Sequence, residues 1–134
     1  MKLIICVDDN GGLMFNQRRQ SRDRKVVDDI LNMTKDSKLY ISGYSTNLFD
    51  GADVVVSEDF CADALEGDFC FVEDERANLL AKDANEIVIY HWNRVYPKDV
   101  VFSADLYKMG FNLEATEEFE GYSHEKITKE IFKK

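Results

Sequence analysis

Apolar residues fall along this chain in short runs, and the runs alternate between two periods. Residues 3–7, LIICV, are apolar throughout and predict a strand covered on both faces. Residues 22–34 carry Val26, Val27, Ile30 and Leu31 at helical spacing, with Met33 beside them. Ser21 stands where an N-cap belongs. KLYIS at 38–42 predicts a second strand ended by Gly43, and 45–49 a short helix or turn. ADVVVS at 52–57 predicts a third strand. Ser57, Glu58 and Asp59 then suit a helix start, with Phe60, Ala64 and Leu65 on one face. A fourth strand follows at 68–72, a helix at 75–83 with Ala77, Leu80 and Ala81 inward, and a fifth strand, EIVIYHW, at 86–92. Pro97 biases Tyr96 towards extended geometry, and the pattern changes there. Residues 100–106 are ambiguous, and 111–119 alternate in part and read as an edge or antiparallel strand. Ser123 is expected to cap a last helix with Ile127 and Ile131 on one face and His124 exposed. Strands alternating with helices predict a three-layer α/β/α domain. Its central sheet is mainly parallel and ends in an antiparallel C-terminal strand.

Composition narrows this picture. A chain of 134 residues is a single-domain length, 1–134, and can bury roughly two-thirds of its unfolded surface. The net charge of -9 disfavours phosphate backbones and anionic membranes, so nucleic acid is an unlikely partner and no membrane is expected. No signal peptide and no span of ~18 apolar residues is seen, which makes cytoplasm the expected location. Cys6, Cys61 and Cys70 form no CxxC and are expected as buried reduced thiols. Charge is segregated. Arg18, Arg19, Arg22, Arg24 and Lys25 stand against the single Asp23, while ten acidic residues and no basic one lie between Asp50 and Glu75. Such blocks are most often solvated faces. Their opposite signs would also let two copies, or two faces of one copy, meet, so a homo-oligomer or protein partner is a candidate.

Four stretches could carry chemistry. VDDNGG, with Asp8, Asn10 and Gly11, reads as a tight turn, since Asp and Asn cap their own backbone and Gly takes positive φ. The alternative is a ligand-facing loop, and a metal site is not expected. Arg18 and Arg19, after Asn16, could hold a small anionic ligand in bidentate fashion. In ISGYST, Gly43, Ser45 and Thr46 follow a strand and open a helix, where a phosphate can sit; the alternative is a turn with hydroxyl caps. Neither a P-loop nor G-x-G-x-x-G is present. Trp92, in IYHWNRVYP, would give a planar ligand an aromatic wall, or cover the sheet end.

The order of elements from residue 3 to about 120 resembles a shortened dihydrofolate reductase. LIICVDDNGGLMFNQRRQ matches that family's opening strand and Asn-Gly loop, with Asn16 after it. Gly43-Tyr44-Ser45-Thr46 matches the family's Gly-Arg-x-Thr, and FCFVEDERANLLAKDANEIVIYHW its later strand, helix and strand. The resemblance implies NADPH as cofactor, with Gly43, Ser45 and Thr46 on its phosphates. Asp28 and Asp29 are candidates for the family's helix carboxylate. The chain also resembles small proteins of Gram-positive anaerobic bacteria. Several chemical positions depart from the pattern together. Tyr44 replaces the phosphate-binding arginine, and Glu73, Asp74 and Glu75 stand where Gly-Gly approaches a pyrophosphate. The favoured reading is a non-catalytic binding or interaction protein on a reductase-like scaffold. The alternatives are an NADPH-dependent reductase-like enzyme or nucleotide binder, and a nucleic-acid module using Arg18 to Arg24.

Overall fold

A computed structural model describes residues 1–134, apart from the side chains of Phe60 and Cys61, so the expectations for those two residues lie outside the described residues. In chain order the elements are β1 (Lys2–Val7), β2 (Gly12–Phe15), β3 (Arg18–Arg19), α1 (Arg24–Met33) and β4 (Leu39–Ile41). A 3₁₀ helix (Gly43–Leu48), β5 (Val55–Val56), α2 (Phe60–Asp63), β6 (Phe69–Phe71) and α3 (Arg76–Asp83) follow. The chain closes with β7 (Glu86–His91), β8 (Val100–Val101), β9 (Asn112–Phe119) and β10 (Ile127–Lys133).

The unbroken apolar run of β1 puts it in the middle of a seven-stranded sheet of order β5-β4-β6-β1-β7-β10-β9. It pairs in parallel with β6 and β7, so that Ile4 lies beside both Phe71 and Val88. Successive side chains then point to opposite faces, and both faces are covered. Leu3, Ile5, Ile87 and Ile89 meet Ala77, Leu80 and Ala81 of α3 on one side. Ile4, Val88 and Tyr90 meet Val26 and Ile30 of α1 on the other. Full burial of Ile30 contributes roughly 2 kcal/mol. The three expected layers are present, with antiparallel pairing at the C-terminal edge, where β10 joins both β7 and β9.

Four expectations need correction. The last element is the strand β10, not a helix. A spacing of four between Ile127 and Ile131 fits a helix face and a strand face alike. Both pack against the α1 side, and Phe132 points to the other core. The cap of α1 is Asp23, not Ser21: its carboxylate accepts from the Lys25 N–H at 2.9 Å. A carboxylate at this position also suits the positive end of the helix dipole. Leu65 is 70 % exposed and not on a buried helix face, because α2 stops at Asp63. A second, three-stranded sheet, β3-β2-β8, was not expected. Its β2–β3 turn is Asn16-Gln17, with φ of 52° and 63°, the positive pair a two-residue hairpin turn requires.

Candidate functional site

The C-terminal ends of parallel strands leave a crevice where open α/β sheets hold ligands. Here Cys6, Glu73 and Trp92 stand at the ends of β1, β6 and β7, with α1 and the β2–β3 hairpin across from them. The cleft between them encloses about 420 Å³ of empty space out to its mouth. Its interior has room for only one or two waters. Leu13, Val26, Ile30, Leu48 and Phe71 make an apolar wall, and polar side chains gather in two groups at the rim.

The first group is built on Arg19. Alternation along β3 turns Arg19 into the cleft and leaves Arg18 exposed. The Arg19 guanidinium donates to both Glu73 carboxylate oxygens, at 2.7 and 2.9 Å. It also donates to Asn47 Oδ1 at 3.2 Å and lies over the Tyr44 ring at 4.7 Å. Ser45 Oγ donates to Glu73 Oε2 at 2.7 Å. The Arg19 and Glu73 side chains are only 14% and 9% exposed, and their pairing raises Arg19 further above its ordinary pKa. Nearby, the Gly43 N–H donates to Glu58 Oε2 at 2.7 Å, and Thr46 Oγ1 to Gly43 O at 2.9 Å. The turn's donors at Gly43 N and Ser45 Oγ are thus bonded to the protein's own carboxylates.

The second group is built on Asp23. Its carboxylate accepts from the Tyr122 and Ser123 N–H groups, each at 2.9 Å, and lies 2.8 Å from His124 Nδ1. Burial by itself would raise the Asp23 pKa. The Tyr122 N–H, His124 and the N–H groups of Ser123 and Lys25 outweigh it and hold the carboxyl far below its ordinary value. An ionised carboxylate only accepts, which places a proton on Nδ1. Ser21 Oγ and the Tyr96 hydroxyl both lie 3.0 Å from Nε2. The imidazole stacks on Trp92, with ring centroids 4.7 Å apart and planes inclined by 22°. Gly121 is required here, since a Cβ on it would stand 2.7 Å from Asp23 Oδ2 and 2.8 Å from His124 O. His124 is therefore buried, at 4 % exposure, and not exposed as expected. The local pattern gave no sign of this because its partner is a hundred residues away in the chain.

The remaining sequence candidates fall around these groups. Asp8 is buried and accepts from the N–H groups of Asn10, Gly12 and Tyr96 at 2.9, 2.8 and 3.0 Å. Lys98 Nζ stands 3.0 Å away. Burial pushes the Asp8 pKa up, but these N–H groups and Lys98 push harder and hold it at about 2. Asn10 is exposed on the same turn, where Gly11 has φ of 76°. Asn16 and Arg18 border a separate shallow depression with Phe15 and Pro97. Arg19 and Trp92 line the cleft, and Ser45 reaches it through Glu73. Asp29 is held by the Tyr90 hydroxyl at 2.6 Å and Lys129 at 2.9 Å, and Asp28 is exposed. The carboxylates of the cleft wall are Asp23 and Glu73. Gln20 also lines it; its amide nitrogen donates to Asp8 and Pro97 O, and its buried Oε1 has no partner among the described residues. Burial, together with the nearby Glu73 charge, raises the Cys6 thiol pKa and keeps it protonated.

No family model matches the chain, and no curated protein matches it by sequence. Among solved structures it is similar to the dihydrofolate reductase of Enterococcus faecalis complexed with NADP(H) and RAB-propyl. The TM-score is 0.66 at 11% identity, over 98% of this chain and 94% of that one. Identity this low carries architecture and not chemistry. The chain has, in that sense, the dihydrofolate reductase fold.

Proposed function

We propose that this protein binds a small ligand in the cleft beside α1, on a reductase-like scaffold, without using NADPH as reductases do. The observation that carries this is the Arg19–Glu73–Ser45 cluster. A carboxylate bonded to the turn that would receive phosphates repels a diphosphate, and displacing it would leave Arg19 to be re-paired. The ligand side of the reading is supported by the apolar wall and by Gln20 Oε1, a buried acceptor that a donor in the cleft would satisfy. Trp92, the only tryptophan, lines the cleft and reports on its contents. Titration with NADPH, with NADH and ATP as controls, is expected to leave its fluorescence flat to millimolar concentration. Saturable micromolar quenching would restore the NADPH-dependent reductase reading.

A second reading, self-association, is supported by the exposure of Arg18, Arg22 and Arg24 and, in a stretch of opposite charge, of Asp50, Asp53, Glu58 and Asp59. Light scattering across a salt series tests it. A dimer that dissociates as salt rises is expected, and a monomer at all salt concentrations would remove it.

A further inference from the structure

Ser21, His124 and Asp23 stand in the order nucleophile, base and orienting carboxylate. Ser21 Oγ is 3.0 Å from His124 Nε2, and Asp23 Oδ2 is 2.8 Å from Nδ1. These are the contacts that activate a serine hydroxyl, and such a site is recognised by geometry and not by chain order. Asp23 and His124 are buried, while Ser21 is half-buried and lines the cleft, so the hydroxyl is the member of the relay that a ligand meets. Trp92 lies face to face with the imidazole, where its π cloud favours the imidazolium that forms when the base takes a proton. The Tyr96 hydroxyl is 3.0 Å from Nε2 and 3.4 Å from Ser21 Oγ, so it shares Nε2 with the serine until a carbonyl oxygen held at Ser21 takes its proton.

We infer that Ser21, His124 and Asp23 form an acyl-transfer site that cleaves a short-chain acyl ester with an anionic leaving group. The inference rests on the cleft being a ligand site, as proposed above. With room inside for only one or two waters, the cleft limits the acyl part to a few atoms. Arg22, Asp23, Val27 and Leu48 also line an adjoining open depression, bordered by Arg24 and Asp50 as well; Arg22, common to both, would meet the negative charge of a leaving group.

In the first half-reaction Ser21 Oγ bonds to the ester carbonyl carbon and passes its proton to His124 Nε2. The bond from that carbon to the alcohol oxygen breaks, and the alcohol departs with the proton from Nε2. In the second half a water oxygen bonds to the acyl carbon, and its proton goes to Nε2. The bond to Ser21 Oγ then breaks and the serine regains its proton. The sum is ester plus water giving carboxylic acid plus alcohol. Asp23 acts through His124 as a positioning residue.

The test uses the full chain with 4-carboxyphenyl acetate, followed by product release and by peptide mass spectrometry of trapped protein. An acetyl group on Ser21 is expected, with turnover roughly a hundredfold or more slower in Ser21→Ala. Asp23→Asn, which keeps a helix-capping side chain, should lower kcat and leave KM unchanged. Arg22→Ala should raise KM for this ester and not for phenyl acetate. Acetylation confined to lysines and the N-terminus, or turnover unchanged in a folded Ser21→Ala, would overturn the site. The non-hydrolysed amide 4-acetamidobenzoate separates the two levels. If it alters Trp92 fluorescence saturably while Ser21 stays unmodified, the relay falls and the ligand-binding reading stands. If neither occurs, both fall.

Discussion

The two polar groups at the rim of the cleft use the same chemistry to opposite ends. On the side of the 3₁₀ helix, Glu73 and Arg19 satisfy one another, and Ser45 is bonded to Glu73. On the side of α1, Asp23 is just as fully bonded, yet the chain of hydrogen bonds ends on the Ser21 hydroxyl at the cleft wall. In the proposed function the first group closes the turn to a phosphate, and in the further inference the second aims a base at a hydroxyl that a ligand can reach. The difference teaches that a fold fixes where a site sits, while the partners of a few carboxylates decide what it admits.

The largest effect expected from breaking this comparison is at Asp23. Asp23→Ala removes the α1 cap and strands the Tyr122 and Ser123 N–H groups and His124. A loss of about 4 kcal/mol in urea unfolding is expected. Glu73→Ala leaves Arg19 half-buried without its carboxylate and should cost about 3 kcal/mol in the same assay. The reverse ranking would mean that the Glu73 side, and not the α1 side, holds the cleft together.

Acid sharpens the same contrast. The Asp8 pKa falls from its ordinary 3.8 to about 2 in the folded state, and that of Asp23 is lowered as well. A carboxyl depressed by folding stabilises the fold above its unfolded value, and that contribution disappears as pH drops through the folded value. Asp8 alone should withdraw about 2 kcal/mol between pH 4 and pH 2, read from urea midpoints. The smallest effect is at Arg18, exposed on β3, where Arg18→Ala should change stability by no more than about 0.5 kcal/mol.

Much of the scaffold was legible because its strands are apolar on both faces. LIICV read as a strand covered on both faces, EIVIYHW as a later strand, and the Val26/Ile30 spacing as a helical stripe, and all three are so placed. The C-terminal strand was not legible, since Ile127 and Ile131 satisfy both periods and Phe132 belongs to the opposite face. The site was legible in part. Glu73 stood out as an acid where glycine was expected, and its pairing with Arg19 gives the segregated charge blocks a meeting point within one copy. The Asp23–His124 pair was not legible. An aspartate among arginines reads as a surface charge, and only the turn at Gly121, tight enough to exclude a Cβ, brings His124 onto it.

In the proposed function Glu73 is the group that closes this cleft to a dinucleotide. Calorimetric titration of NADPH into the wild type and Glu73→Gln, in parallel, tests it most directly. No measurable heat of binding is expected for the wild type, and saturable binding with a measurable Kd for Glu73→Gln, where the repelling charge is gone and Arg19 is released. Saturable micromolar binding by the wild type, unchanged or weakened in Glu73→Gln, would contradict it.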